Sequence, residues 1–114
     1  MSGTNRVEAI RRLNDLSRTL QGLAPNTRVM ITRGLAASGE DFVTRALAAV
    51  RTFNTFTKDN DPHGEHDFGA FAVDDEKCFW KIDYYDKSLE RGSEDSADPE
   101  LTIRVLTVML AEEY

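Results

Sequence analysis

A chain of 114 residues holds about one domain's worth of hydrophobic core and is too short for two, so residues 1–114 are expected to form a single domain. Its 40% apolar and 30% charged residues are those of a globular protein rather than a disordered or membrane-spanning one, and the single cysteine, Cys78, excludes an intramolecular disulfide or a multi-cysteine zinc site. The net charge of −6 is unevenly divided: residues 1–57 carry eight arginines against four acids (+4), and residues 58–114 carry six basic residues against sixteen acids (−10).

Halves of opposite charge attract, so arginines of the first half are expected to satisfy carboxylates of the second; the sharper reading is an acidic face offered to a basic partner. Direct nucleic-acid binding is disfavoured, because the arginines are spread among acids rather than gathered in a patch. No stretch is long and apolar enough for a membrane span, and the first residues lack a secretory apolar run, which makes a cytoplasmic location the expectation.

In chain order, the first helix is predicted from Asn5, as cap with Glu8 in the capping-box position, to near Gly22. Val7, Ile10, Leu13, Leu16 and Leu20 recur at helical spacing as its apolar stripe, with Arg11, Asp15 and Arg18 opposite. "TRVMITRG" (27–34) reads as a short strand. A second helix is expected after Ser38 as cap, with Glu40 and Asp41 in its first turn and Phe42, Ala46, Leu47, Val50 and Phe53 buried. Residues 67–73 and 77–85 read as a hairpin bent through Asp74, Asp75 and Glu76. Strand alternation puts Cys78, Trp80, Ile82 and Tyr84 on one side and Phe79, Lys81, Asp83 and Tyr85 on the other. Residues 86–99 are polar, acidic and expected to be mobile. Asp98 and Pro99 then suggest the start of a last helix over 99–113, apolar around most of its circumference and therefore central or in a dimer interface, although its threonines and valines also admit a strand. The fold class is α+β, in the order α-β-α-β-β-α, with a short antiparallel sheet whose hairpin packs on helices.

The chemistry-bearing block is "DNDPHGEHDFGAF" (59–71). Pairing Val73 with Lys77 sets Asp67 opposite Asp83, His66 opposite Tyr84 and Glu65 opposite Tyr85, give or take one residue, so "GEHD" and "DYYD" meet at the open end of the hairpin. The binding candidates are therefore Asp61, His63, Glu65, His66, Asp67, Lys81, Asp83 and Tyr85. As a metal site, His66, Asp67 and Asp83 would offer a mixed nitrogen and oxygen set, though without a recognised zinc spacing. As an acid–base site, His66 would be the base, with Glu65 or Asp83 orienting it and water as nucleophile. The bland alternative is turn chemistry around Pro62, Gly64 and Gly69, with His66 bonded to Tyr84 or a carbonyl and Asp83 paired with Arg28 or Arg33. No cofactor motif is present.

The blocks "NDPHGEHDFGAF", "FWKIDYYD", "GSEDSADPE" and "TIRVLTVMLAEEY" resemble the hallmark segments of an uncharacterised bacterial domain-of-unknown-function family of short proteins, often on plasmids and other mobile elements. That resemblance implies no activity, cofactor or catalytic residue. The leading expectation is a non-enzymatic accessory protein that docks to a protein partner, such as an acidic inhibitor of a defence nuclease. The alternatives are a metal-dependent hydrolase built on Glu65, His66, Asp67 and Asp83, and a homodimer formed through the 99–113 helix.

Overall fold

The computed structural model describes residues 3–114. Helix α1 (Gly3–Leu20) closes with a 3-10 turn (Gln21–Leu23) and leads to strand β1 (Thr27–Ile31); two helices, α2 (Arg33–Ala37) and α3 (Glu40–Thr52), follow. A long loop precedes the hairpin β2 (Phe68–Val73) and β3 (Glu76–Tyr85), and the chain ends with β4 (Ile103–Leu110) and a 3-10 turn. No helix among the described residues is long and apolar enough to cross a membrane.

The sheet has the order β1-β4-β3-β2 and is mixed: β1 runs parallel to β4, and the other neighbours are antiparallel. Two expectations are corrected here. The sheet is not purely antiparallel, and residues 99–113 form no α-helix, most of them making up β4. β4 is an interior strand with partners on both sides, so Arg104, Leu106, Val108 and Leu110 face the helices while Ile103 and Met109 are buried on the other side. A strand with apolar residues on both faces copies the signature of a central helix, although Val105 and Thr107 are only part-buried; the branched Ile103, Val105, Thr107 and Val108 suit the pleated strand better. The possible dimer helix does not exist as a surface.

The hairpin forms one residue from the expected register. Val73 pairs with Glu76 through a two-residue turn, and Asp74 and Asp75 both take positive φ (51° and 66°), the type I′ geometry that glycine or asparagine usually supplies. Arg45 of α3 grips Asp74 with two nitrogens, at 2.8 and 2.6 Å, and also reaches Asp41 at 3.0 Å, holding the Asp74 carboxyl below the usual range.

The core lies between the sheet and its helices: Leu35 of α2, Ala46 and Val50 of α3, and Val73, Cys78, Trp80, Ile82, Leu106, Val108 and Leu110 of the strands. Phe42, Leu47 and Phe53 pack against it, as the helical spacing predicts. Ser38 does not cap α3; Gly39 holds that position with φ of 106°. Asn5 lies inside α1 rather than at its cap.

The largest departure is in α1, which buries a polar stripe. Asn14, Ser17, Arg18 and Gln21 are buried at helical spacing beside Ile10, while Leu16 and Leu20 of the anticipated core stripe are 43% and 42% exposed. Much of this stripe bonds to backbone that needs donors, although Arg18 Nε has no partner. Arg18 gives hydrogen bonds to the carbonyls of Val50 (3.1 Å), Arg51 (3.2 Å) and Phe53 (2.7 Å) at the C-terminus of α3, where unpaired carbonyls and the helix dipole favour a cation. Gln21 donates to Leu47 O at 2.9 Å, and Ser17 and Thr27 share a hydroxyl bond of 2.7 Å.

Candidate functional site

The acidic and histidine-rich block folds as a loop clasped by α1. Arg11 Nε donates to Gly64 O (2.7 Å), Asn14 Nδ2 donates to Glu65 O (2.9 Å), and Asp15 Oδ1 meets His66 Nδ1 at 2.8 Å. Asn14 and Asp15 stand three and four residues after Arg11 and so lie on its side of α1. Turn chemistry shapes the loop: Gly64 and His66 take positive φ (70° and 57°), and buried Asp61 accepts the His66 amide at 3.2 Å. The His66 ring lies flat on Phe56, with centroids 3.6 Å apart and an interplanar angle of 4°. Its Nε2 faces Asp61 Oδ2 at 3.6 Å, so the imidazole is bracketed by two carboxylates, Asp15 and Asp61.

A directed chain of hydrogen bonds runs beneath this loop. Buried Arg104 donates through Nε to Asn14 Oδ1 (2.7 Å), Asn14 Nδ2 donates to Tyr84 Oη (2.7 Å), and Tyr84 Oη donates to Glu65 Oε1 (2.8 Å). A guanidinium and a carboxylate are thus linked through two neutral side chains, and Arg104 also lies over the Tyr84 ring at 5.1 Å. Burial lowers the Arg104 pKa, and burial, assisted by the Glu65 carboxylate, pushes the Tyr84 hydroxyl above its usual range, so Tyr84 acts as a neutral donor.

The candidates predicted from sequence separate into four groups. Asp61, Glu65 and His66 join the clasp. Lys81, Asp83 and Tyr85 lie on the far side of the sheet, where Lys81 and Asp83 pair at 2.5 Å; neither Arg28 nor Arg33 is the partner of Asp83. His63 is exposed. Asp67, half-buried, has its carboxyl pushed up first by burial and then by Glu65 and Asp61. His66 is held by Asp15 rather than by Tyr84 or a carbonyl. The set Glu65, His66, Asp67 and Asp83 therefore does not converge, because strand alternation sends Asp83 to the opposite face from Tyr84. Among the described residues, no group of three or more His, Cys, Asp or Glu side chains is placed to hold a metal ion.

An open depression of about 480 Å³ lies over the clasp, lined by Arg11, Phe56, Thr57, Lys58, Asp61, Gly64 and His66. It offers an aspartate–histidine pair, with His66 Nδ1 on Asp15 and Nε2 turned toward Asp61. Arg11, Asn14, Asp15 and Arg104 are the contributors that pattern reading missed; the spacing of Arg11, Asn14 and Asp15 along α1 was the available signal.

Fold and site define a small α+β protein whose mixed sheet carries a polar clasp between its first helix and an acidic loop. Residues 31–113 match the family described as a protein of unknown function (DUF3768), and the chain belongs to that family. No curated protein and no solved structure matches it.

Proposed function

We propose that the protein is a non-enzymatic binding module that docks a partner protein along the outward side of α1. The observation that carries this reading is the exposure of the leucines toward the C-terminal end of α1. Leu16 and Leu20, which would ordinarily face the core, are turned to solvent, and Leu23 beyond them is 88% exposed. Beside them lies a groove of about 80 Å³ lined by Leu13, Leu16, Ser17, Pro25, Asn26, Pro99, Thr102 and Arg104. Leucines spaced three and four apart next to a groove suit an amphipathic helix of the partner, whose apolar side chains would cover the leucines and enter the groove. The polar side of α1 is already committed to its own fold, so this docking needs no rearrangement of the clasp.

The accompanying expectation, an acidic inhibitor aimed at a basic nuclease, rests on the charge of residues 58–114 and makes the opposite salt prediction. The test is capture from a bacterial lysate on immobilised protein, comparing wild type with Leu16→Glu and repeating at raised salt. A partner retained by wild type, lost with Leu16→Glu and indifferent to salt supports docking on α1. Capture that ignores Leu16→Glu overturns it, and salt-sensitive capture of that kind favours the acidic surface.

A further inference from the structure

The three helices cover one face of the sheet; the other, between buried Ile103 and Met109 at the two ends of β4, carries side chains with no helix over them among the described residues. Register arranges them in rows. Arg28 and Asp83 both pair with Val105, one from each side, so one row across β1, β4 and β3 reads cation, apolar, anion. Met30, Thr107, Lys81 and Phe68 form the next row. Arg28 is exposed, with no hydrogen bond or ion pair for its side chain among the described residues, and Met30 is 55% exposed. Tyr114 packs edge-on against Phe68 and Phe79 at one end of this face, leaving the Arg28–Val105–Asp83 row clear of the aromatic cluster.

We infer that this face binds a second copy of the chain, about a two-fold axis that runs along β4 between the facing sheets. The argument is charge complementarity. Rotation about that axis lays β4 on β4 and places β1 of each copy over β3 of the other, so Arg28 falls on the second copy's Asp83, twice, on either side of a Val105–Val105 contact. Facing sheets pack about 10 Å apart with strands within about 30°, a gap that long side chains such as arginine bridge. Met30 covers the aliphatic stem of the second copy's Lys81, whose ammonium stays on Asp83. A row with cation and anion on opposite flanks matches its own two-fold image, and the interface is therefore isologous. This surface is separate from the leucines of α1, so the two proposals stand or fall apart.

The test is the mass of the full chain by sedimentation equilibrium, with folding followed by near-ultraviolet circular dichroism of Trp80. Wild type is expected to dimerise. Arg28→Asp sets two carboxylates against each other at both contacts, and Asp83→Arg does the same with two guanidinium groups; each alone raises the dimer dissociation constant by about a hundredfold or more. Mixed in equal amounts, the two variants restore opposite charges at both contacts and associate as a heterodimer. Val105→Glu, which brings two carboxylates together at the axis, is monomeric and covers the case in which Asp83→Arg fails to fold. A monomeric wild type, a wild-type-like dimer in Val105→Glu, or folded charge variants that do not associate on mixing would each overturn the inference.

Discussion

Replacing Asn14 with alanine tests the clasp at its central joint. Asn14 is fully buried and makes three hydrogen bonds: two from its amide nitrogen, to Glu65 O and Tyr84 Oη, and one accepted from the Arg104 guanidinium. The two neutral bonds contribute about 1 kcal/mol each and the charged one about 1.5–3 kcal/mol, giving a loss of about 3–5 kcal/mol, because alanine leaves Arg104 buried without that acceptor. For a chain of 114 residues, with an unfolding entropy of about 2.1 cal/mol/K per residue, the melting temperature should fall by about 12–20 °C. Asn14→Asp keeps an acceptor for Arg104 and should lie between alanine and wild type. Thermal unfolding followed at Trp80, with a urea titration at fixed temperature, measures both variants. A drop below about 4 °C for Asn14→Ala, equivalent to about 1 kcal/mol, would show that Arg104 and Tyr84 find other partners at little cost and that α1 does not hold the loop through this residue.

Two further substitutions probe the packing and the acidic loop. Gly69 pairs with Trp80, and a Cβ there would stand 2.4 Å from Trp80 Nε1 and 2.7 Å from Phe53 Cζ, so Gly69→Ala should destabilise by about 1–3 kcal/mol in urea unfolding; an unchanged midpoint would mean that the two rings can separate. The raised folded pKa of Asp67 gives a pH signature. At low pH the carboxyl is protonated in both states and nothing is lost; as pH rises past its unfolded value near 3.8, the folded state resists ionisation and stability falls until the folded pKa is passed. Asp67→Asn should therefore match wild type in acid and exceed it at neutral pH, and a variant less stable than wild type at pH 7 would contradict the assigned cause.

The hairpin and α3 were legible because each obeys one period on one surface. Cys78, Trp80 and Ile82 alternate inward, and Ala46 and Val50 are buried with Phe42, Leu47 and Phe53 packed around them, so register came within a single residue even though two aspartates take the positive φ that glycine usually supplies. β4 was illegible because an interior strand with apolar residues on both faces leaves no period to read. α1 misled for a different reason. The carbonyls at the end of α3 and the loop at 64–65 need donors, and Asn14, Arg18 and Arg11 supply them, a demand made by distant backbone that no local pattern records. Of the candidate site, convergence of the loop with β3 was legible through Glu65 and Tyr84, whereas the placement of Asp83 on the other face followed from an alternation already visible in the sequence and was not carried through to the cluster.

The family match begins at Ile31, the last residue of β1, while Arg11, Asn14, Asp15 and Arg18 all precede it. A fragment trimmed to the matched stretch would lose most of β1, the edge partner of β4, together with the Asn14, Asp15 and Arg18 side chains that bond Arg104, His66 and the end of α3. Expression boundaries drawn at the match would thus uncover a buried cation and an open strand edge, a recipe for aggregation rather than a minimal domain.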